Sequence, residues 1–123
     1  MKYVILIHSN PESRRIWEDF SDSERAEGLR AYAALTDDLV SSGEMIVGEA
    51  LADASLAKRI SITDGRAIAS DGPFAEAKEQ LAGFILIQCE SMERAIEIAG
   101  RVPEAPLGLV EVRPVMVYSG VEM

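Results

Sequence analysis

The sequence predicts an α+β domain, a ferredoxin-like sandwich in which two βαβ halves flank an inserted hairpin and share one antiparallel sheet. Three observations lead there. The apolar tetrad Val4-Ile5-Leu6-Ile7 opens a strand–helix–strand pattern, and Phe84-Ile85-Leu86-Ile87 opens another eighty positions later. Each strand is followed by a capped amphipathic helix. Between the halves lies a β-branched, alternating stretch split by Asp64-Gly65, a turn pair that tolerates positive φ.

The elements follow in order. Residues 2–8 read as a strand, apolar on both faces. Asn10 is an N-cap acceptor, and Pro11 has its φ preset for the first helical position. The short helix they open places Ile16, Trp17 and Phe20 on one side. Ser21 and Glu24 have capping-box spacing and start a longer helix. Leu29, Tyr32, Ala33, Leu39 and Val40 recur in it at helical intervals, with Thr36 filling the stripe. Gly43 is its C-terminal stop. Met45-Ile46-Val47-Gly48 reads as a strand and residues 53–57 as a loop. Residues 59–63 and 66–69 form the hairpin, read as an extension of the main sheet. Residues 83–89 give the next strand. Ser91 caps a helix with Met92, Ala95, Ile96, Ala99 and Val102 on one stripe, ended by Pro103 and Pro106. Residues 109–117 are the last strand, where Pro114 marks an edge, a bulge or the end of pairing.

That arrangement raises a question of burial. Two principal helices cover one face of a four-stranded sheet. A sheet whose second face is wet alternates apolar and polar side chains, and the strands at 4–7 and 84–87 do not. The expected remedy is a homodimer with two sheets packed face to face.

Composition narrows the function. The chain has 123 residues, of which 48% are apolar, enough for a single domain with its own core. Its net charge of −9, from 12 basic and 21 acidic residues, repels phosphate backbones and argues against nucleic-acid binding. Apolar runs stop at four or five residues, so no membrane partner is expected. The first residues lack the long apolar core of a secretory signal, which favours a cytoplasmic setting. The one cysteine, Cys89, ends an apolar strand and reads as a core residue. One His and one Cys supply too few of the usual ligands for zinc. Gly65 and Gly72 fit neither glycine-rich phosphate fingerprint. No cofactor is expected.

Asp71-Gly72-Pro73-Phe74, followed by Glu76, Lys78, Glu79, Leu81 and Gly83, resembles the signature of the YCII-related family in its DGPF-domain branch. The closing residues 110–116, Val-Glu-Val-Arg-Pro-Val-Met, resemble that branch's terminal motif, and Ala31-Tyr32, Gly43 and Gly48 also fit. The resemblance spans essentially the whole chain and implies a dimeric α+β barrel. Some members of the family are enzymes, among them a dehydrochlorinase of a chlorinated hydroquinone, with a His–Asp pair as its proposed acid/base machinery. The histidine would be expected near the start of the long helix, which here reads Ser21-Asp22-Ser23-Glu24-Arg25. The branch is often encoded beside extracytoplasmic-function sigma factors, which implies a regulatory or stress setting.

Candidate site residues follow. Asp71 is the acid/base candidate at the rim of a pocket, and its turn partners Gly72, Pro73 and Phe74 have structural roles as φ-permissive, φ-fixed and core-plugging residues. His8 is the only histidine and titrates near neutral pH when unperturbed, which makes it the auxiliary candidate. Lys78 and Arg113 are candidate clamps for an anionic ligand, with Glu79 and Glu111 beside them. Glu111 and Arg113 are two apart on one strand and share a face. Each also has a plain structural reading: a rigid turn, solvated charges, an ion pair, a strand-end imidazole.

The expected function is that of a cytoplasmic dimer binding a small polar or aromatic metabolite in a pocket at the dimer sheet interface. Cofactor-free elimination or isomerisation by acid/base groups is the chemistry such a pocket suits. The alternative is a regulatory or interaction module without catalysis.

Overall fold

The computed structural model describes residues 1–73 and 78–117. The first half contains β1 (Lys2–Ser9), α1 (Pro11–Asp19), α2 (Asp22–Ser42) and β2 (Met45–Ala50). The inserted hairpin is β3 (Lys58–Thr63) and β4 (Arg66–Asp71). The second half contains β5 (Gln80–Gln88), α3 (Met92–Ala99) and β6 (Val110–Pro114). Short 3₁₀ turns lie at Ala54–Leu56 and Ala105–Leu107.

The four-stranded sheet runs in the order β2-β5-β1-β6, with every neighbour antiparallel. This is the ferredoxin-like order that the two βαβ halves predict. Caps fix the helix starts as read from the sequence. Asn10 Oδ1 accepts from the Ser13 N–H at 2.8 Å, and Ser21 Oγ accepts from the Glu24 N–H at 3.2 Å. Ser91 Oγ accepts from the Arg94 N–H at 3.1 Å. Gly43 ends α2 with a φ of 79°, a left-handed value that costs glycine nothing.

The core lies between the sheet and helices α2 and α3. Tyr3, Ile5 and Ile7 of β1 and Ile85 and Ile87 of β5 point into it, meeting Leu35 and Leu39 of α2 and Ala95, Ile98 and Ala99 of α3. The alternate residues Val4, Leu6, Phe84 and Leu86 point to the other face and are only half-buried. Their register places Leu6 opposite Phe84 and Val4 opposite Leu86. They form an apolar patch at the centre of the sheet.

Three expectations are corrected. In α2 the buried stripe is Tyr32, Leu35 and Leu39, whereas Leu29 and Val40 are each 62% exposed. Both stripes have helical spacing, and the choice between them is made by packing against β1 and β5. The hairpin is a two-stranded sheet of its own rather than an extension of the main one, and all its residues are exposed. The last strand ends at Pro114, on a sheet edge, where a residue without an N–H breaks no inner ladder.

Candidate functional site

A β-bulge between Ile7 and His8 shifts the register of β1 against β5. Ile7 pairs with Gly83 and His8 with Leu81, so the extra residue is Ala82 of β5, opposite the end of β1. The His8 N–H donates to the Leu109 carbonyl at 2.8 Å, which holds the strand end in place. On β6, Glu111 stands opposite Leu6. Its Oε1 lies 2.9 Å from His8 Nε2. A carboxylate only accepts, so Nε2 carries the proton in this pair. The neutral ring then keeps a lone pair on Nδ1. Nδ1 is buried and has no hydrogen-bond partner among the described residues.

His8 borders a cavity of about 510 Å³ at the end of β1. Ser13, Arg14, Ile16 and Trp17 of α1, Leu29 and Tyr32 of α2, and Pro103, Glu104 and Leu107 form its walls, with Asp53 at one side. The Asn10–Ser13 capping box starts α1 and fixes where these side chains stand. Arg25 at the start of α2 fastens the end of α1. Its Nε and Nη2 donate to the carbonyls of Trp17 and Glu18 at 3.1 and 2.9 Å. The same guanidinium lies 5.6 Å from the centre of the Trp17 ring, within cation–π range. The Trp17 and Phe20 rings meet tilted, 6.0 Å apart.

Across the cavity, Tyr32 Oη donates to Glu104 Oε1. Burial, with the hydrogen bond and charge of Glu104 added, pushes the Tyr32 phenol well above its ordinary range. The phenol therefore stays protonated and its oxygen can also accept. Hydrogen bonds from Ser55, with the charge of Arg14 adding, hold the Asp53 carboxyl below its usual value. A second depression of about 340 Å³ adjoins through Asp53 and is bordered by Leu51, Leu56, Pro73 and Leu81.

The residues expected from the sequence divide between these places. His8 lines the larger cavity, and Glu111 is its partner rather than that of Arg113. Asp71 ends β4 on the hairpin, where its Oδ1 accepts from Lys58 Nζ at 2.7 Å in a pair 91% and 60% exposed. Gly72 donates to the Ala57 carbonyl at 2.9 Å. A Cβ there would lie 3.3 Å from that oxygen and 3.1 Å from Arg59 Cγ, so close approach accounts for the glycine. Pro73 follows a cis peptide bond and borders the second depression. Lys78 and Glu79 are exposed ahead of β5, and Arg113 is exposed opposite Val4. Phe74 lies outside the described residues. The larger cavity lies at the end of β1, and none of Val4, Leu6, Phe84 and Leu86 lines it. Tyr32, Glu104, Arg14, Ser13 and Asp53 were not expected as site residues. Tyr32 carried a signal, since it belongs to both helical stripes. Glu104 carried none, because its contact to Tyr32 spans 72 positions.

Among the described residues, no three His, Cys, Asp or Glu side chains are grouped to hold a metal ion. No helix is long and apolar enough to cross a membrane.

A family model, the YCII-related domain, matches residues 1–119. An uncharacterised protein of Rhizobium meliloti (strain 1021) is 32% identical over 125 residues, covering 100% of this chain and 98% of the relative. Among solved structures, a similar one is 5-chloro-2-hydroxyhydroquinone dehydrochlorinase from Burkholderia phenoliruptrix AC1100 in complex with 2,5-dihydroxybenzoquinone. Its TM-score is 0.53 at 18% identity, over 94% of this chain and 93% of that one. That likeness carries the fold, the α+β architecture read from the sequence.

Proposed function

This chain belongs to the YCII-related domain family, and we propose that its cavity at the end of β1 binds a small organic molecule, with His8 as the acid/base group. The observation that carries the proposal is the state of the His8 ring. Glu111 holds one nitrogen at 2.9 Å while the other is buried without a partner. An unmade hydrogen bond at a buried polar atom costs ~1–3 kcal/mol. Nδ1 is closed off from solvent in this conformation, so a ligand recovers that bond only when a turn of the His8 ring brings the atom into the cavity.

The chemistry follows from the pair. Nδ1 takes a proton from the ligand, and the imidazolium so formed keeps its Nε2–H on the Glu111 carboxylate. Returning that proton to a neighbouring atom is an isomerisation. Departure of a leaving group from the adjacent carbon, with the electron pair of the broken C–H bond forming the new double bond, is an elimination. A positioned base of this kind contributes ~10²–10⁴-fold in rate. The dehydrochlorinase with the same fold is consistent with this class of reaction. No step requires a cofactor.

Asp71 is the second proton-handling candidate, since its turn continues through Pro73 to the depression beside the cavity. The Asp71-Gly72-Pro73-Phe74 turn also supports placement in the DGPF-domain branch. The half-buried patch of Val4, Leu6, Phe84 and Leu86 supports a homodimer with two sheets face to face, in which Arg113 and Glu111 lie at the patch margin. A lone, buried Cys89 suits a reducing, cytoplasmic setting.

Since the chain has one histidine, its ring C–H signals in proton NMR are a unique reporter. Titration against a library of small aromatic and polar metabolites should move them, with the melting temperature rising for the same compounds. Hits that raise the melting temperature without moving the His8 signals, or that bind a His8→Gln variant unchanged, would remove His8 from the site. Sedimentation at micromolar concentration should give twice the chain mass.

A further inference from the structure

The charges around the cavity point to the class of ligand, on the premise that the cavity is the binding site. We propose that it selects a protonated amine carried on an aromatic or alicyclic body, with Glu104 as the counter-ion. Three carboxylates border the cavity: Glu18, Asp53 and Glu104. Arg14 is the one arginine or lysine on its walls, and its charge acts on Asp53. Among the described residues, neither Glu18 nor Glu104 takes part in an ion pair. Carboxylates thus outnumber the arginine and lysine side chains on the walls, and an anion entering would be repelled in a partly dry space.

Hydrogen-bond roles agree with the charges. Tyr32 spends its one proton on Glu104, which orients that carboxylate and leaves the phenol oxygen an acceptor. His8 Nε2 is engaged by Glu111, and Nδ1 is closed off from the cavity. The carboxylate and phenol oxygens on the walls thus ask for donors. An ammonium group offers three donors and no acceptor, whereas a hydroxyl offers one and a carboxylate none. The remaining wall suits the rest of such a ligand. Ile16, Leu29 and Leu107 are apolar; the Trp17 ring already holds the Arg25 guanidinium, so the attraction for an ammonium falls to Glu104 at the other wall.

The expectation reverses the anion clamp anticipated from Lys78 and Arg113, which do not line this cavity. The test uses three probes of one shape: 2-phenylethylamine, 2-phenylethanol and phenylacetate. Each is titrated into the full chain at low salt, with the His8 ring signals as readout. The amine should bind about tenfold more tightly than the alcohol, as charge-assisted hydrogen bonds exceed neutral ones, and phenylacetate should bind least. Glu104→Gln keeps an acceptor for Tyr32 and removes the charge. It should bring the amine down to the alcohol's affinity and leave the alcohol unchanged, with the amide spectrum confirming an intact fold. An alcohol that binds as well as the amine overturns this inference and leaves the proposed site standing. Preference for phenylacetate, an amine preference that survives Glu104→Gln, or no shift from any probe at millimolar concentration also overturns it. The library titration judges the site itself.

Discussion

Replacing Glu44 by Gln should destabilise the fold at neutral pH and stop doing so in acid. Glu44 follows the Gly43 cap of α2 and joins three elements. Its backbone N–H donates to the Leu39 carbonyl, and its carbonyl accepts from Gln88 of β5, both at 2.9 Å. Its carboxylate receives Arg94 Nε at 2.9 Å, Arg94 Nη2 at 2.8 Å and Ser42 Oγ at 2.7 Å. These bonds favour the ionised form and hold the carboxyl at about 2. Glutamine keeps the shape and an acceptor but loses the charge. Charge-assisted bonds contribute ~1.5–3 kcal/mol when desolvated. The Glu44 and Arg94 side chains are 16% and 34% exposed, so solvent screening reduces the expected loss to about 1 kcal/mol. For a domain of this size that is a fall of about 4 °C in melting temperature. The sign of the pH dependence follows from linkage. A carboxyl depressed in the folded state contributes fully above its unfolded value, ~4.3. That contribution is lost as pH falls towards about 2. Urea melts of both proteins from pH 7 to pH 2 should show the gap in stability open above pH ~4.5 and closing below it. A gap that stays constant across that range, or none at pH 7, would refute the ionic account.

Other substitutions test other parts of the fold. Leu35→Ala should cost ~2–4 kcal/mol in chemical denaturation, whereas Leu29→Ala on the rejected stripe should stay within ~0.5 kcal/mol. A Cβ on Gly83 would lie 2.9 Å from the Glu49 carbonyl oxygen. Gly83→Ala should therefore cost ~1–3 kcal/mol and speed amide exchange in β2, where the strand must shift. Ser21→Ala removes the N-cap of α2 and should cost ~1 kcal/mol by thermal melt. Glu111→Gln should leave the fold intact and lower the affinity of any ligand that moves the His8 signals, because the ring loses its charged anchor.

Local chemistry made much of this fold legible. Asn10, Ser21, Ser91, Gly43 and Asp64-Gly65 act through neighbours a few positions away, and each sits where its own side chain or φ requires. The twin apolar tetrads implied the sheet order. The contacts around the cavity are of another kind. His8 meets Glu111 across 103 positions, and Tyr32 meets Glu104 across 72. Such pairs depend on register and packing, which no local spacing encodes. The long helix shows the same limit. Its expected stripe of residues 29, 32, 33, 36, 39 and 40 and its observed one of 32, 35 and 39 share Tyr32 and Leu39, and only packing on the sheet turns Leu35 inward and leaves Leu29 and Val40 out. A search for acid/base partners along paired strands, with β1 laid against β6, would have put Glu111 beside the end of β1.

The position of His8 at the end of β1 has an evolutionary consequence. Its backbone stays in the ladder while its side chain borders a recess whose other walls are two helices and a turn. Those walls can mutate without disturbing the ladder of Ile5, Ile85 and Val112. A lineage could therefore exchange one ligand for another while inheriting the same reactive imidazole.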